Sequence, residues 1–139
     1  MITTSAPGDL RVSTLHMTSG PPAVGLAREF VRRTLRHWQL VDVLDSAELV
    51  VSELATNAVK STGGDSGQHV VGVQLRLVEA RLYVEVWDSG EGSAVVAPEQ
   101  SLDAEGGRGL FLVAALCERW DSYRPTAGGK VVWGRLPVA

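Results

Sequence analysis

Three short stretches of this 139-residue chain carry residue types whose spacing permits chemistry. In the first, Glu53 and Asn57 lie four positions apart, so on a helix they project from one side about a turn apart. A carboxylate so placed can serve as a general base, and a carboxamide oxygen can ligate Mg2+. In the second, Asp88-x-Gly90-x-Gly92 closes an apolar run. An aspartate there can accept a hydrogen bond from an exocyclic amine such as that of adenine, and the glycines let a flat ligand approach the backbone. In the third, Gly107-Arg108-Gly109-Leu110 opens a stretch of helical period. The unpaired N–H groups and dipole of a helix N-terminus favour a phosphate, and Arg108 would add a charge-assisted donor. Each stretch alone also has a plainer use: a surface charge pair, a tight turn, a glycine-rich entry to a helix.

The elements that must position these residues follow from hydrophobic period. Residues 1–10 are polar and read as a loose segment, and 11–17 read as a short strand. After Pro21 and Pro22, the apolar residues Val24, Ala27, Val31, Leu35 and Trp38 fall at helical steps. Arg28, Arg32, Arg33 and Arg36 lie elsewhere around that helix and read as a solvated face. A second helix runs from about residue 42 to 61. On a wheel advancing about 100° per residue, its Leu44, Ala47, Val51, Leu54 and Ala58 share an arc of about 80°. Glu53, Asn57 and Lys60 form a polar stripe along the border of that buried face, where polar groups need partners or a task.

From Val71 the period switches to two. Val71, Val73, Leu75 and Leu77, then Leu82, Val84 and Val86, alternate with other residues about Glu79-Ala80, which predicts an antiparallel hairpin. Residues 93–105 lack period and read as a long loop of the kind that forms lids. Leu110, Val113, Ala114, Cys117 and Trp120 predict a third helix, and residues 130–136 a last strand. The sum is an α+β two-layer sandwich, a mostly antiparallel sheet with three helices on one face. Residues 11–139 read as one domain.

Composition narrows the function classes. Thirteen Lys and Arg against sixteen Asp and Glu give net charge −3, which supplies no basic field for nucleic acid and no polybasic membrane anchor. The single cysteine, Cys117, excludes an intrachain disulfide and reads as a small core residue. His16, His37 and His69 are scattered, so no zinc-ligand spacing exists. Neither a leader pattern at the start nor an apolar run of membrane-spanning length is present, and the expectation is a cytoplasmic protein.

The order of the three stretches is more specific than any one of them. Helical Glu-x-x-x-Asn, then strand-Asp-x-Gly-x-Gly, then a lid and Gly-Arg-Gly-Leu opening a helix resembles the GHKL (histidine kinase-like) superfamily of ATP-binding domains, whose sandwich is of the Bergerat type. Within it, the phrase Glu48-Leu49-Val50-Val51-Ser52-Glu53-Leu54-Ala55-Thr56-Asn57-Ala58-Val59 and the ending Gly129-Lys130-Val131-Val132-Trp133 resemble the anti-sigma-factor serine kinases, in particular small actinobacterial homologues of RsbW and SpoIIAB. The resemblance covers roughly residues 15–137.

It implies ATP and Mg2+ as cofactors, Glu53 as general base and Asn57 as the Mg2+ ligand. It implies Asp88 as the reader of the adenine amine with Gly90 and Gly92 shaping the base pocket. Gly107, Arg108, Gly109 and Leu110 match the phosphate-wrapping segment, and Lys60 matches a basic residue near the nucleotide. The implied partners are a sigma factor, held inactive, and a STAS-domain anti-anti-sigma protein, phosphorylated on serine; a homodimer follows by the same analogy. Two positions depart from the family pattern. Val131 stands where the family commonly has a threonine whose hydroxyl supports the aspartate–adenine contact, and Glu91 adds a negative charge beside the pocket. The alternative on the same fold is a non-catalytic partner-switching module that uses ATP structurally or binds none. A Walker site on Gly129-Lys130 fails, because Arg124 stands where its first glycine would fall and Val131 where its Ser or Thr would. No Gly-x-Gly-x-x-Gly joins a strand to a helix, and an all-β aspartic protease conflicts with two good helices in residues 22–61.

Overall fold

Period-two alternation builds the sheet and period-3.6 stripes cover it. The computed structural model describes residues 2–5, 10–62, 69–90 and 105–138. Six strands, β1 (Ile2–Ser5), β2 (Leu10–Thr18), β3 (Val70–Val78), β4 (Arg81–Asp88), β5 (Arg119–Tyr123) and β6 (Lys130–Pro137), form one sheet in the order β1-β2-β3-β4-β6-β5. Every neighbouring pair is antiparallel. Three helices, α1 (Pro22–His37), α2 (Leu44–Ser61) and α3 (Glu105–Leu116), complete the α+β sandwich, with a 3-10 turn at Val41–Val43 leading into α2.

Strand parity decides which face the helices cover. Val71, Val73 and Leu75 of β3, Leu82, Val84 and Val86 of β4, and Val132 and Leu136 of β6 are buried together. They pack in one core with Phe30, Val31 and Leu35 of α1 and Val50, Val51 and Leu54 of α2. Helix α2 is the central element, lying on β3, β4 and β6 with α1 and α3 on its two flanks. The α1 arginines do form a solvated face, and carboxylates tie it down. Arg28 and Arg32 both pair with Glu48 of α2, and Arg32 and Arg33 with Glu29.

Two elements differ from the sequence expectation. Residues Ile2–Ser5, read as loose, pair with β2 from Ile2↔Leu15 to Ser5↔Val12. Trp120, read on the third helix, lies on β5, because α3 ends at Leu116 and its last hydrogen bond runs from Cys117 N–H to the Val113 carbonyl. Both strands are edges of the sheet. The residues of β5 alternate only between half-exposed and exposed, so no apolar period marks them. Among the described residues no helix is long and apolar enough to cross a membrane.

The seat of α3 depends on a missing side chain. A Cβ at Gly134 of β6 would lie 2.5 Å from Cys117 Sγ and 3.6 Å from Val50 Cγ1. Gly134→Ala should therefore cost about 1–3 kcal/mol by overpacking, read as a lowered denaturation midpoint at unchanged m-value. Adding Cys117→Ala should restore part of that loss, whereas additive losses would show that the two sites do not touch.

Candidate functional site

Asp88 ends β4 with the same parity as Leu82, Val84 and Val86, so its carboxylate enters the helix-covered face and is only 1% exposed. A charge there needs compensation. Its Oδ1 accepts the Gly90 N–H at 3.0 Å, which turns the chain sharply off the strand. Gly90 sits so close to α2 that a Cβ would lie 3.0 Å from the Ser61 carbonyl oxygen. Across the ladder, Lys130 is the register partner of Asp88. Its Nζ lies 3.8 Å from Asp88 Oδ2 and donates to Ser61 Oγ at 3.1 Å. Three elements thus meet at one charged cluster: the end of α2, the end of β4 and the start of β6.

The rim of this cluster is fixed by close packing. Gly129 has φ +84°, and a Cβ there would run into the Asp88 carbonyl oxygen and the Trp87 ring. The Trp87 indole N–H donates to the Gly128 carbonyl at 3.1 Å. On the other side the Ser19 and Thr62 hydroxyls share a buried hydrogen bond of 2.7 Å, and Ser89 Oγ accepts the Val70 N–H at 2.8 Å.

Glu53 and Asn57 are half-buried on α2, and Lys60 is exposed. None of the three is bonded to another described residue. Glu53, Asn57 and Ser61 succeed one another at intervals of four, so they form a single row along α2, rising about 6 Å per step. The row ends at the Asp88–Lys130 cluster, because Ser61 belongs to both. The C-terminal end of α3 lies near the start of α2, where Leu116 shares a cavity wall with Val43 and Ser46, and α3 packs on α2. The backbone of Gly107, Arg108 and Gly109 forms the first turns of that helix. Leu110 is buried at 2% exposure, so its side chain anchors the helix and leaves only its backbone for a ligand. Gly92, Glu91, the Arg108 side chain and loop residues 93–104 lie outside the described residues.

The register corrects one reading of the sequence. Val131 faces the opposite side of the sheet, between Trp87 and Tyr123, so a hydroxyl at that position would not reach Asp88. Lys130 is the residue that stands beside it. Lys130 and Ser61 were not among the sequence candidates. The available signal was parity: Lys130 alternates with Val132, Gly134 and Leu136, whereas Val131 alternates with Trp133 and Arg135. Among the described residues no cluster of three His, Cys, Asp or Glu side chains could hold a metal.

Fold and site together define an α+β sandwich of the GHKL type. Residues 17–136 match the family described as "Histidine kinase-like ATPase domain", and the chain belongs to that family. Among solved structures it is similar to a "Histidine kinase domain from Erythrobacter litoralis EL346 blue-light activated histidine kinase", with 28% identity and a TM-score of 0.51. That similarity covers 66% of this chain but 42% of the other. No curated protein matches the chain.

Burial raises the Asp88 carboxyl above its ordinary value of 3.8, outweighing the lowering by Lys130, the Gly90 N–H, Arg124 and Ser61. The folded state therefore holds this proton at higher pH than the unfolded chain does. The group's contribution to stability is full below about pH 3.8 and is lost as pH rises through the folded value. Compared with Asp88→Asn, the parent chain should lose relative stability as pH rises above about 3.8, read from paired thermal melts. A stability difference independent of pH would mean that the carboxylate is as well solvated folded as unfolded.

Proposed function

We propose that the chain binds ATP with Mg2+ and is a protein serine kinase of the anti-sigma type, phosphorylating a STAS-domain partner and sequestering a sigma factor. The observation that carries the nucleotide part is the buried Asp88 at the head of the α2 row. A base whose exocyclic amine is held by Asp88 leaves its phosphates to run back past Asn57 toward Glu53, between α2 and the N-terminus of α3. Gly90 and Gly129 let α2, β4 and β6 close tightly round the carboxylate, and the α3 backbone presents N–H groups for phosphate.

Asn57, between Glu53 and Ser61 in the α2 row, would offer a cation its carboxamide oxygen, in keeping with Mg2+ held chiefly by phosphates and water. When bound, the cation neutralises charge on the phosphates and so assists transfer. Glu53 is unengaged by other described residues and half-buried, which suits a base that draws the proton from a serine hydroxyl. The serine oxygen then bonds to the γ-phosphorus as the bond to ADP breaks.

The second reading, a partner-switching module without nucleotide chemistry, is favoured by one observation: Lys130 already compensates Asp88.

Calorimetric titration with ATP, with and without Mg2+, separates the two readings. The kinase reading expects binding that strengthens with Mg2+, at least a tenfold loss in Asp88→Asn, and loss of the Mg2+ effect in Asn57→Ala. Asn replaces Asp here because it removes the charge while keeping the side-chain volume and an oxygen that can still accept the Gly90 N–H. Glu53→Ala should keep ATP affinity while phosphotransfer to a STAS-domain substrate falls by about 10²–10⁴-fold. Absence of binding at millimolar ATP would overturn the kinase reading and favour the module.

A further inference from the structure

Lys130 is a buried charge that the phosphotransfer reading does not use. Its side chain is 7% exposed, and it is the only cation among the buried polar and charged residues described. The other inner-facing residues of β6 are Val132, Gly134 and Leu136, so an apolar side chain at this position would continue the core. Buried ion pairs are often replaceable by apolar groups without loss of stability, so fold alone does not call for a lysine here. What distinguishes the position is its register: it is the cross-strand partner of Asp88, on the same face.

Both groups retain unused hydrogen-bonding capacity. The ammonium has three N–H donors. One donates to Ser61 Oγ, and the nearest Asp88 oxygen lies 3.8 Å away, an ion-pair distance beyond hydrogen-bond length. The Asp88 carboxylate offers about four lone-pair sites, and its described partners are the Gly90 N–H on Oδ1, the Ser61 hydroxyl and the nearby ammonium. An acceptor and a donor 3.8 Å apart therefore stand side by side at the end of β4 and the start of β6. In adenine the exocyclic amine, a donor, adjoins the ring nitrogen N1, an acceptor.

We propose that Lys130 is a base-recognition residue, donating to N1 of adenine while Asp88 accepts from the neighbouring amine. This rests on the ATP reading above. The pair reads two adjacent atoms of the base edge, and Ser61 Oγ holds the ammonium in position for it. The hydrogen bond is charge-assisted, which places it among the stronger contacts available to a neutral base.

The test removes one atom from the ligand and, separately, one group from the protein. ATP and 1-deaza-ATP, which keeps the amine but lacks N1, are titrated against the parent chain, Lys130→Met and Lys130→Arg in the same Mg2+ buffer. The parent should bind 1-deaza-ATP at least about tenfold more weakly than ATP. Lys130→Met should bind the two alike, because the donor is gone, and Lys130→Arg, which keeps a donor, should still discriminate. A lysine needed only for folding would weaken both ligands equally and leave their ratio unchanged. Equal binding of the two nucleotides by the parent overturns the assignment whatever the variants do, as does undiminished discrimination in Lys130→Met. If Lys130→Met fails to fold, the parent and Lys130→Arg decide. A parent that binds neither nucleotide overturns the ATP reading itself, a result distinct from one that binds both alike.

Discussion

A carboxylate on the inner face of a sheet is the constraint around which this molecule is arranged. Asp88 occupies a position where strand parity calls for another valine, and charge in such a place persists only when it is compensated. The compensation comes from a backbone N–H two residues on, a lysine across the ladder and a hydroxyl at the end of α2. Each partner in turn fixes an element: Gly90 forces the turn off β4, Lys130 sets the start of β6, and Ser61 ties the C-terminal end of α2 to both strands. Burial still outweighs these lowering influences on the carboxyl, so the group is held at some cost to the fold. Such strain concentrates at functional sites, where local rules yield to a task.

Helix α2 converts this point into a track. Its apolar arc rests on β3, β4 and β6, which leaves its orientation no freedom, and its border row of Glu53, Asn57 and Ser61 therefore points along a fixed line. The glycine at Gly134 lets α3 sit close, because Cys117 fills the space a side chain there would take. A task that relies on positioning and charge neutralisation, as phosphoryl transfer does, needs little more from a scaffold than such rigidity. Burial pushes the Cys117 thiol up to about 11, in keeping with a packing role for this residue.

Much of this was legible in the residues. Long amphipathic periods fixed α1 and α2, and clean alternation around Glu79-Ala80 fixed the hairpin, because both signals come from a single buried face. The edge strand β5 escaped notice since it has no buried side to imprint a pattern. The row from Glu53 to Asn57 was visible as spacing, but its extension to Ser61 acquired meaning only from a contact 69 residues away. For the same reason Val131 drew attention that belonged to Lys130: which of two adjacent residues faces Asp88 is a matter of β4–β6 register, and both parities of β6 carry apolar residues. Non-local register is the kind of information that sequence pattern specifies weakly.

The central claim is that the Asp88 end of the sandwich is where nucleotide binds. Backbone amide NMR of the isotopically labelled chain, recorded with and without Mg2+ and ATP, tests it most directly. The account predicts that the described residues perturbed on addition of ATP are those from Asn57 to Thr62, Trp87 to Gly90, and Gly129 to Val131, together with the first turn of α3. A cavity of about 310 Å³ lies at the opposite end, lined by Leu40 to Val43, Leu116 and Val138. Perturbations confined to that end, with the Asp88 cluster unmoved, would contradict it.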